Sequence, residues 1–116
     1  MAERGPLPRA DIAVISVEKL RDYILSRTHP VGRFKAAFFE RVGYSQDDWQ
    51  TLAVDLRRQH LPMPAERVDS NTFGSKYRID ALIVGPAGRS AMVVSVWIVL
   101  AFEEAPRLVT LYPGGA

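Results

Sequence analysis

The stretch YRIDALIVGPAGRSAMVVSVWIVLAF, Tyr77–Phe102, decides the fold. Its first part alternates, with Tyr77, Ile79, Ala81 and Ile83 on one side and Arg78, Asp80 and Leu82 on the other, the period of a strand half in and half out of a core. Gly85-Pro86-Ala87-Gly88 is a strong turn signal. The run that follows, about Ser90 to Phe102, is then expected to return antiparallel to the first. Because Met92 to Leu100 is apolar on nearly both faces, it reads as a central strand with helices covering one side. Pro106 to Tyr112 supplies a last strand, and Glu66 to Ser70 a short edge strand on the other flank.

Upstream of this sheet the period changes from two to between three and four. Ser16 caps an expected helix carrying Leu20, Tyr23 and Ile24 as one apolar stripe, ending near Thr28 because Pro30 restricts the residue before it. A second helix is expected from about Pro30 to Arg33 up to Gly43, a left-handed stop. In the third, Ser45 and Asp48 form an acidic variant of the capping box, with Tyr44 placed to staple onto Trp49. Leu52, Ala53, Leu56 and His60 continue that face until Pro62 and Pro64 end it. The expected fold is therefore α+β, about three N-terminal helices followed by a three- to four-stranded antiparallel sheet. Residues 1–10, with two prolines and no apolar signal core, read as a flexible tail, and 11–116 as a single domain.

A chain of 116 residues can bury one real core, and with 47% hydrophobic and 24% charged residues it is neither disordered nor fibrous in composition. The absence of cysteine removes disulfides, thiolate catalysis and cysteine-bound metal, and makes the cytoplasm the simplest address. No apolar run approaches the roughly 20 residues of a membrane-spanning helix, so no membrane partner is expected. Two histidines some thirty residues apart, without an HExxH pattern or a dense carboxylate cluster, assemble no metal site. No phosphate loop, GxGxxG turn or GxSxG elbow occurs either, so no cofactor is expected. What survives is metal-independent acid-base or electrostatic chemistry, or plain binding.

Net charge is only +2, but its distribution is uneven. Between Arg27 and Arg41 four cations, Arg27, Arg33, Lys35 and Arg41, face the single acid Glu40, which makes this segment the candidate phosphate-facing surface. Lys35 interrupts the apolar arc of Phe34, Phe38, Phe39 and Val42, either snorkelling to water or holding an amine at the lip of a cleft. His29, in the turn Thr28-His29-Pro30-Val31-Gly32-Arg33, is either a turn or N-cap residue or a group that moves a proton beside an anion. His60 reads as a partner of the last carbonyls of helix three. In the sheet, Ser95, Trp97, Thr110 and Tyr112, with Arg78 nearby, are expected to share a surface able to stack a base and hydrogen-bond a phosphate; the alternative makes Trp97 and Tyr112 core residues.

The segments Leu20–Phe39, Gly74–Tyr77, Gly85–Arg89, Val96-Trp97 and Pro106–Pro113 together resemble a bacterial family of uncharacterised small domains. The resemblance spans about Asp11 to Pro113. Those domains are similar to toxin modules, some found beside a small antitoxin-like gene or at the ends of polymorphic toxins. Their layout is similar to nucleases related to barnase, EndoU, colicins and RelE, with helices ahead of a four-stranded antiparallel sheet. The resemblance implies a toxin of a toxin–antitoxin type system that cleaves RNA without metal, through attack of a 2′-hydroxyl on the neighbouring phosphate. His29, Lys35, Thr110 and Tyr112 are then the catalytic candidates, and Arg33, Arg78, Trp97 and Ser95 the substrate-binding ones. A cognate antitoxin encoded nearby is the implied partner and RNA the implied substrate. Two competing readings remain: a non-catalytic module (antitoxin, immunity protein or inactive relative) using its sheet face as an interface, and a homo-oligomer built on an exposed edge strand.

Overall fold

The computed structural model describes residues 4–114. It is α+β, with three helices and a five-stranded antiparallel sheet ordered β1-β2-β3-β4-β5. The strands are β1 (Arg4–Gly5), β2 (Ala65–Asn71), β3 (Gly74–Val84), β4 (Ser90–Leu100) and β5 (Arg107–Pro113). The fifth strand arises where a tail was expected: Arg4 and Gly5 pair with Glu66 and Ala65, and Leu7 just beyond is buried. The rest of the expected tail, Met1 to Glu3, lies outside the described residues. Burial of Leu7, which contributes about 1.5–3 kcal/mol, and the β1–β2 pairing together tie this arm to the sheet.

Helix α1 (Val17–Lys19) begins as expected, with the Ser16 hydroxyl accepting the Lys19 N–H at 3.2 Å. Over Leu20–Ile24 it widens into a π turn closed by the Leu25 N–H on the Leu20 carbonyl at 2.8 Å, and the helix ends there rather than at Thr28. Helix α2 (Gly32–Val42) stops at Gly43, whose φ of 113° is open to glycine and strained for other residues. Its buried arc centres on Ala36, Phe39 and Val42; Phe34, expected inside that arc, is 69% exposed. Helix α3 (Trp49–Asp55) follows Asp48, whose N–H is held by Ser45 at 3.3 Å while its carboxylate takes the Thr51 hydroxyl at 2.8 Å. Only half of the expected capping box is therefore made. Tyr44 is buried, its ring 6.4 Å from that of Phe39 and its phenol on the Asp55 carboxylate at 2.7 Å. A second π turn, Leu56–His60, carries α3 to its end.

The helices cover one face of the sheet, where Ile79, Ala81 and Ile83 of β3, Val93 and Trp97 of β4, and Leu108 and Leu111 of β5 join Leu20, Ile24, Phe39, Leu52 and Leu56 in one core cluster. Directly opposed residues of an antiparallel pair share a face. Ser95 is opposite Leu111 and Trp97 opposite Leu108, whereas Val96 is opposite Thr110 and Val94 opposite Tyr112. A register shift between Val96 and Trp97 leaves Val109 as the extra residue of β5. The shared surface of Ser95, Trp97, Thr110 and Tyr112 therefore does not form: the first two are sealed in the core, and the second two lie on the other side of the pair, at the sheet edge that Lys35 reaches. A simple two-residue count along β5 misses this because one extra residue reverses every side chain beyond it.

Candidate functional site

Sheet and helices meet at the open edge of β5, and there the turn into α2 closes on the last strand. The turn is built from its own polar atoms. The buried Ser26 hydroxyl accepts the N–H of His29 at 3.1 Å and of Thr28 at 3.3 Å. His29 Nδ1 in turn accepts the N–H groups of Val31 and Gly32, each at 3.0 Å, so this imidazole caps the helix. Gly32 packs so closely on α1 that an added Cβ would lie 1.8 Å from the Tyr23 carbonyl oxygen, and any larger residue would part the turn from Tyr23. The His29 ring stands edge-on to Tyr23, with centroids 4.9 Å apart at 72°.

Lys35, one turn into α2, reaches across to β5. Its ammonium donates to Thr110 Oγ1 at 2.8 Å and to the Leu111 carbonyl at 3.0 Å, and lies 5.4 Å from the Tyr23 ring centre and 5.7 Å from that of Tyr112. Two of its three protons are thus committed to the edge strand, and the third is left for the space between the rings. Lys19, one helical turn before Tyr23, places its ammonium 5.8 Å from the same ring centre. Ser16, Glu18, Lys19, Asp22, Tyr23, His29, Lys35, Val109 and Thr110 enclose an open hollow of about 720 Å³. Its rim acid Asp22 is taken up by Arg21, at 2.7 and 3.0 Å. The Thr110 hydroxyl first, and the ammonium groups of Lys35 and Lys19 after it, hold the Tyr23 phenol below its ordinary titration range against an opposing effect of burial.

His29, Lys35 and Thr110 therefore line one hollow, and Tyr112 joins them through the lysine. The other candidates lie elsewhere. Arg33 stacks on Phe34 at 4.8 Å on the outer side of α2. Arg78 stands on the uncovered face opposite Val96 and reaches Asp80 at 3.5 Å. Ser95 and Trp97 are sealed in the core, where the Trp97 indole donates to the Ser95 hydroxyl at 2.8 Å, and that hydroxyl meets His60 Nδ1 at 2.8 Å. His60 is itself fully buried rather than set at the helix end, and its Nε2 faces the carbonyls of Val93 at 3.0 Å and Ala81 at 3.2 Å. Tyr23 and Lys19 are the residues the sequence reading passed over. The available signal was a lysine four residues before a tyrosine on one helix face, a spacing that brings the two side chains together. Among the described residues, no three His, Cys, Asp or Glu side chains group as metal ligands, and no helix is long and apolar enough to cross a membrane.

A family model matches residues 6–115, nearly the whole chain. No curated protein matches. Among solved structures, a chain of a contact-dependent growth inhibition toxin and immunity protein complex from Klebsiella pneumoniae 342 is similar in fold, at a TM-score of 0.64 and 17% identity, over 92% of this chain and 97% of that one.

Proposed function

This chain belongs to the family described as a domain of unknown function (DUF6883), and we propose that it is a toxin domain whose hollow at the β5 edge grips RNA phosphate and cleaves the strand without metal. One observation carries the reading: Lys35 bridges to Thr110 and Leu111, so that His29, Tyr23 and the last strand surround a single hollow with two ammonium groups in it. Likeness of fold to a chain from a toxin and immunity protein complex supports the biological setting. In this reading a non-bridging phosphate oxygen takes the free Lys35 proton and the Thr110 hydroxyl. Negative charge that grows on the non-bridging oxygens during attack by the 2′-oxygen then meets a fixed cation instead of reorganising water. His29 holds the turn beside the phosphate, its Nδ1 occupied by the α2 cap. Tyr112 holds Lys35 from the outer side, and Arg33 lies where a flanking phosphate would pass.

Purified protein incubated with total RNA in chelator is the direct test. Wild type is expected to cleave, and Lys35→Met to lose about a hundredfold or more with an unchanged melting transition. Cleavage undiminished by that substitution, or none by wild type, would overturn the reading.

A second reading has an observation of its own. The sheet face away from the helices leaves Leu82 51%, Val84 43% and Met92 38% exposed, a patch suited to a protein partner. A non-catalytic binding module, on the toxin or the immunity side of such a pair, would form a stable stoichiometric complex through this face and turn over no RNA.

A further inference from the structure

We infer that Tyr23 is the group of the hollow that exchanges a proton with substrate, working as a pair with Lys35, while His29 serves only to hold the turn. This deepens the RNA-cleavage reading and rests on it for the identity of the substrate. The argument is one of elimination by geometry. Among the side chains lining the hollow, six can in principle exchange a proton: Glu18, Lys19, Asp22, Tyr23, His29 and Lys35, of which Lys19 lies over the Tyr23 ring and has no hydrogen bond to the edge strand. The one lone pair of neutral His29 that could accept is already spent on the N–H groups of Val31 and Gly32; protonating it would uncap α2. Asp22 is held bidentate by Arg21. Glu18 is exposed on the first turn of α1 and touches neither Lys35 nor Thr110. Lys35 has no free lone pair while it donates to β5. Tyr23 remains, with two ammonium groups within 5.8 Å of its ring centre, and the Thr110 hydroxyl and Lys35 ammonium both act on its phenol.

The backbone supports the assignment. Tyr23 sits inside the π turn Leu20–Ile24, and such turns inside helices recur at functional sites because the extra residue re-aims a side chain. The neighbours Leu20 and Ile24 are fully buried, whereas Tyr23 is half-buried at the core's margin and lines the hollow beside the edge strand.

The step balances within the pair. In the form with Tyr23 ionised, the 2′-oxygen forms a bond to phosphorus and its proton passes to the phenolate oxygen. The bond from phosphorus to the 5′-oxygen breaks, the electron pair stays on that oxygen, and it takes a proton from the Lys35 ammonium. Tyr23 then returns its proton to the Lys35 amine, leaving a 2′,3′-cyclic phosphate, a 5′-hydroxyl and the pair in its starting state.

Two measurements test this separately from the RNA reading. The first needs no substrate: tyrosinate absorbance is followed against pH in wild type, Tyr23→Phe and Lys35→Met. Of the four tyrosines, the one that ionises first is expected to vanish in Tyr23→Phe and to move to higher pH in Lys35→Met. If Tyr23→Phe leaves the first ionisation in place, the inference is wrong whatever the protein does to RNA. The second is the pH profile of RNA cleavage. Tyr23→Phe is expected to lower the rate about 10²- to 10⁴-fold with the melting transition kept, and His29→Asn, which can still cap, to stay within about tenfold of wild type. A rate insensitive to Tyr23→Phe but abolished by Glu18→Gln or by His29→Asn would overturn the assignment. A shifted tyrosine in a protein that cleaves no RNA would uphold the paired phenol and ammonium and reject RNA as their substrate.

Discussion

The molecule holds two clusters with nearly the same inventory, each a histidine at or beside a helix end with a hydroxyl and an aromatic ring, and they have opposite fates. Around His60, the chain from Trp97 indole to Ser95 hydroxyl to imidazole to the carbonyls of Val93 and Ala81 is closed, and all three side chains are shut off from water. Every polar atom has its partner, so nothing is left to bind or react. Around Lys35 the partners run out before the protons do. The lysine keeps one proton free, the Tyr23 phenol faces a cation, and the space between is open to solvent. The two clusters teach that residue type says little about role; saturation of hydrogen bonds and access to water divide structure from chemistry.

That contrast can be broken from the core side first, where effects are largest. Trp97→Ala is expected to cost about 3–5 kcal/mol, because the side chain is among the largest fully buried ones, and denaturant unfolding measures it. A loss under about 1 kcal/mol would mean that Trp97 does not anchor the core. His60→Leu comes next. It orphans the Ser95 hydroxyl and two carbonyls and is expected to cost about 1–3 kcal/mol, with no direct effect on a hollow it does not line.

A pH titration sharpens the comparison further. Burial, opposed by the Ala81 and Val93 carbonyls, holds His60 below its ordinary imidazole value. The unfolded chain therefore binds this proton more readily than the folded one. The contribution of His60 to stability is whole above about pH 6.5, and it declines as pH falls from there through the lower folded value. Melting temperatures between pH 7.5 and 4.5 are expected to fall more steeply for wild type than for His60→Gln, and parallel curves would contradict the closed network. The smallest effect belongs to the surface. Arg78→Ala, removing one exposed contact to Asp80, is expected to change stability by no more than about 0.5 kcal/mol and to leave the hollow's chemistry alone.

Much of the architecture could be read along the chain because it depends on neighbours in sequence. The alternation from Tyr77 to Ile83, the Gly85–Gly88 turn, the Ser16 cap and the Gly43 stop are all local, and the structure has each of them. Of the site, His29, Lys35, Thr110 and Tyr112 were legible as polar or cationic exceptions to an apolar pattern. Ser95 and Trp97 were placed on the wrong face because their neighbourhood depends on strands meeting in a register that no single strand specifies, whereas Arg78 does share the face of Thr110, with Val96 between them. Tyr23 was hidden for another reason: a tyrosine on an apolar stripe looks like core, and here its ring does pack against the core while it also lines the hollow.

Composition and periodicity by themselves determined the α+β class, the order of helices before sheet and the face of β3 that enters the core, since backbone propensity and hydrophobic period act over a few residues. Only the tertiary structure decided which polar groups would be satisfied. One extra residue at Val109 turned Thr110 and Tyr112 away from the core, and the close approach of Gly32 to Tyr23 brought the α2 turn to the same edge. Hydrogen bonds and burial are settled between segments far apart in sequence, so the difference between a sealed His60 and an open Tyr23 exists only once the chain has closed on itself.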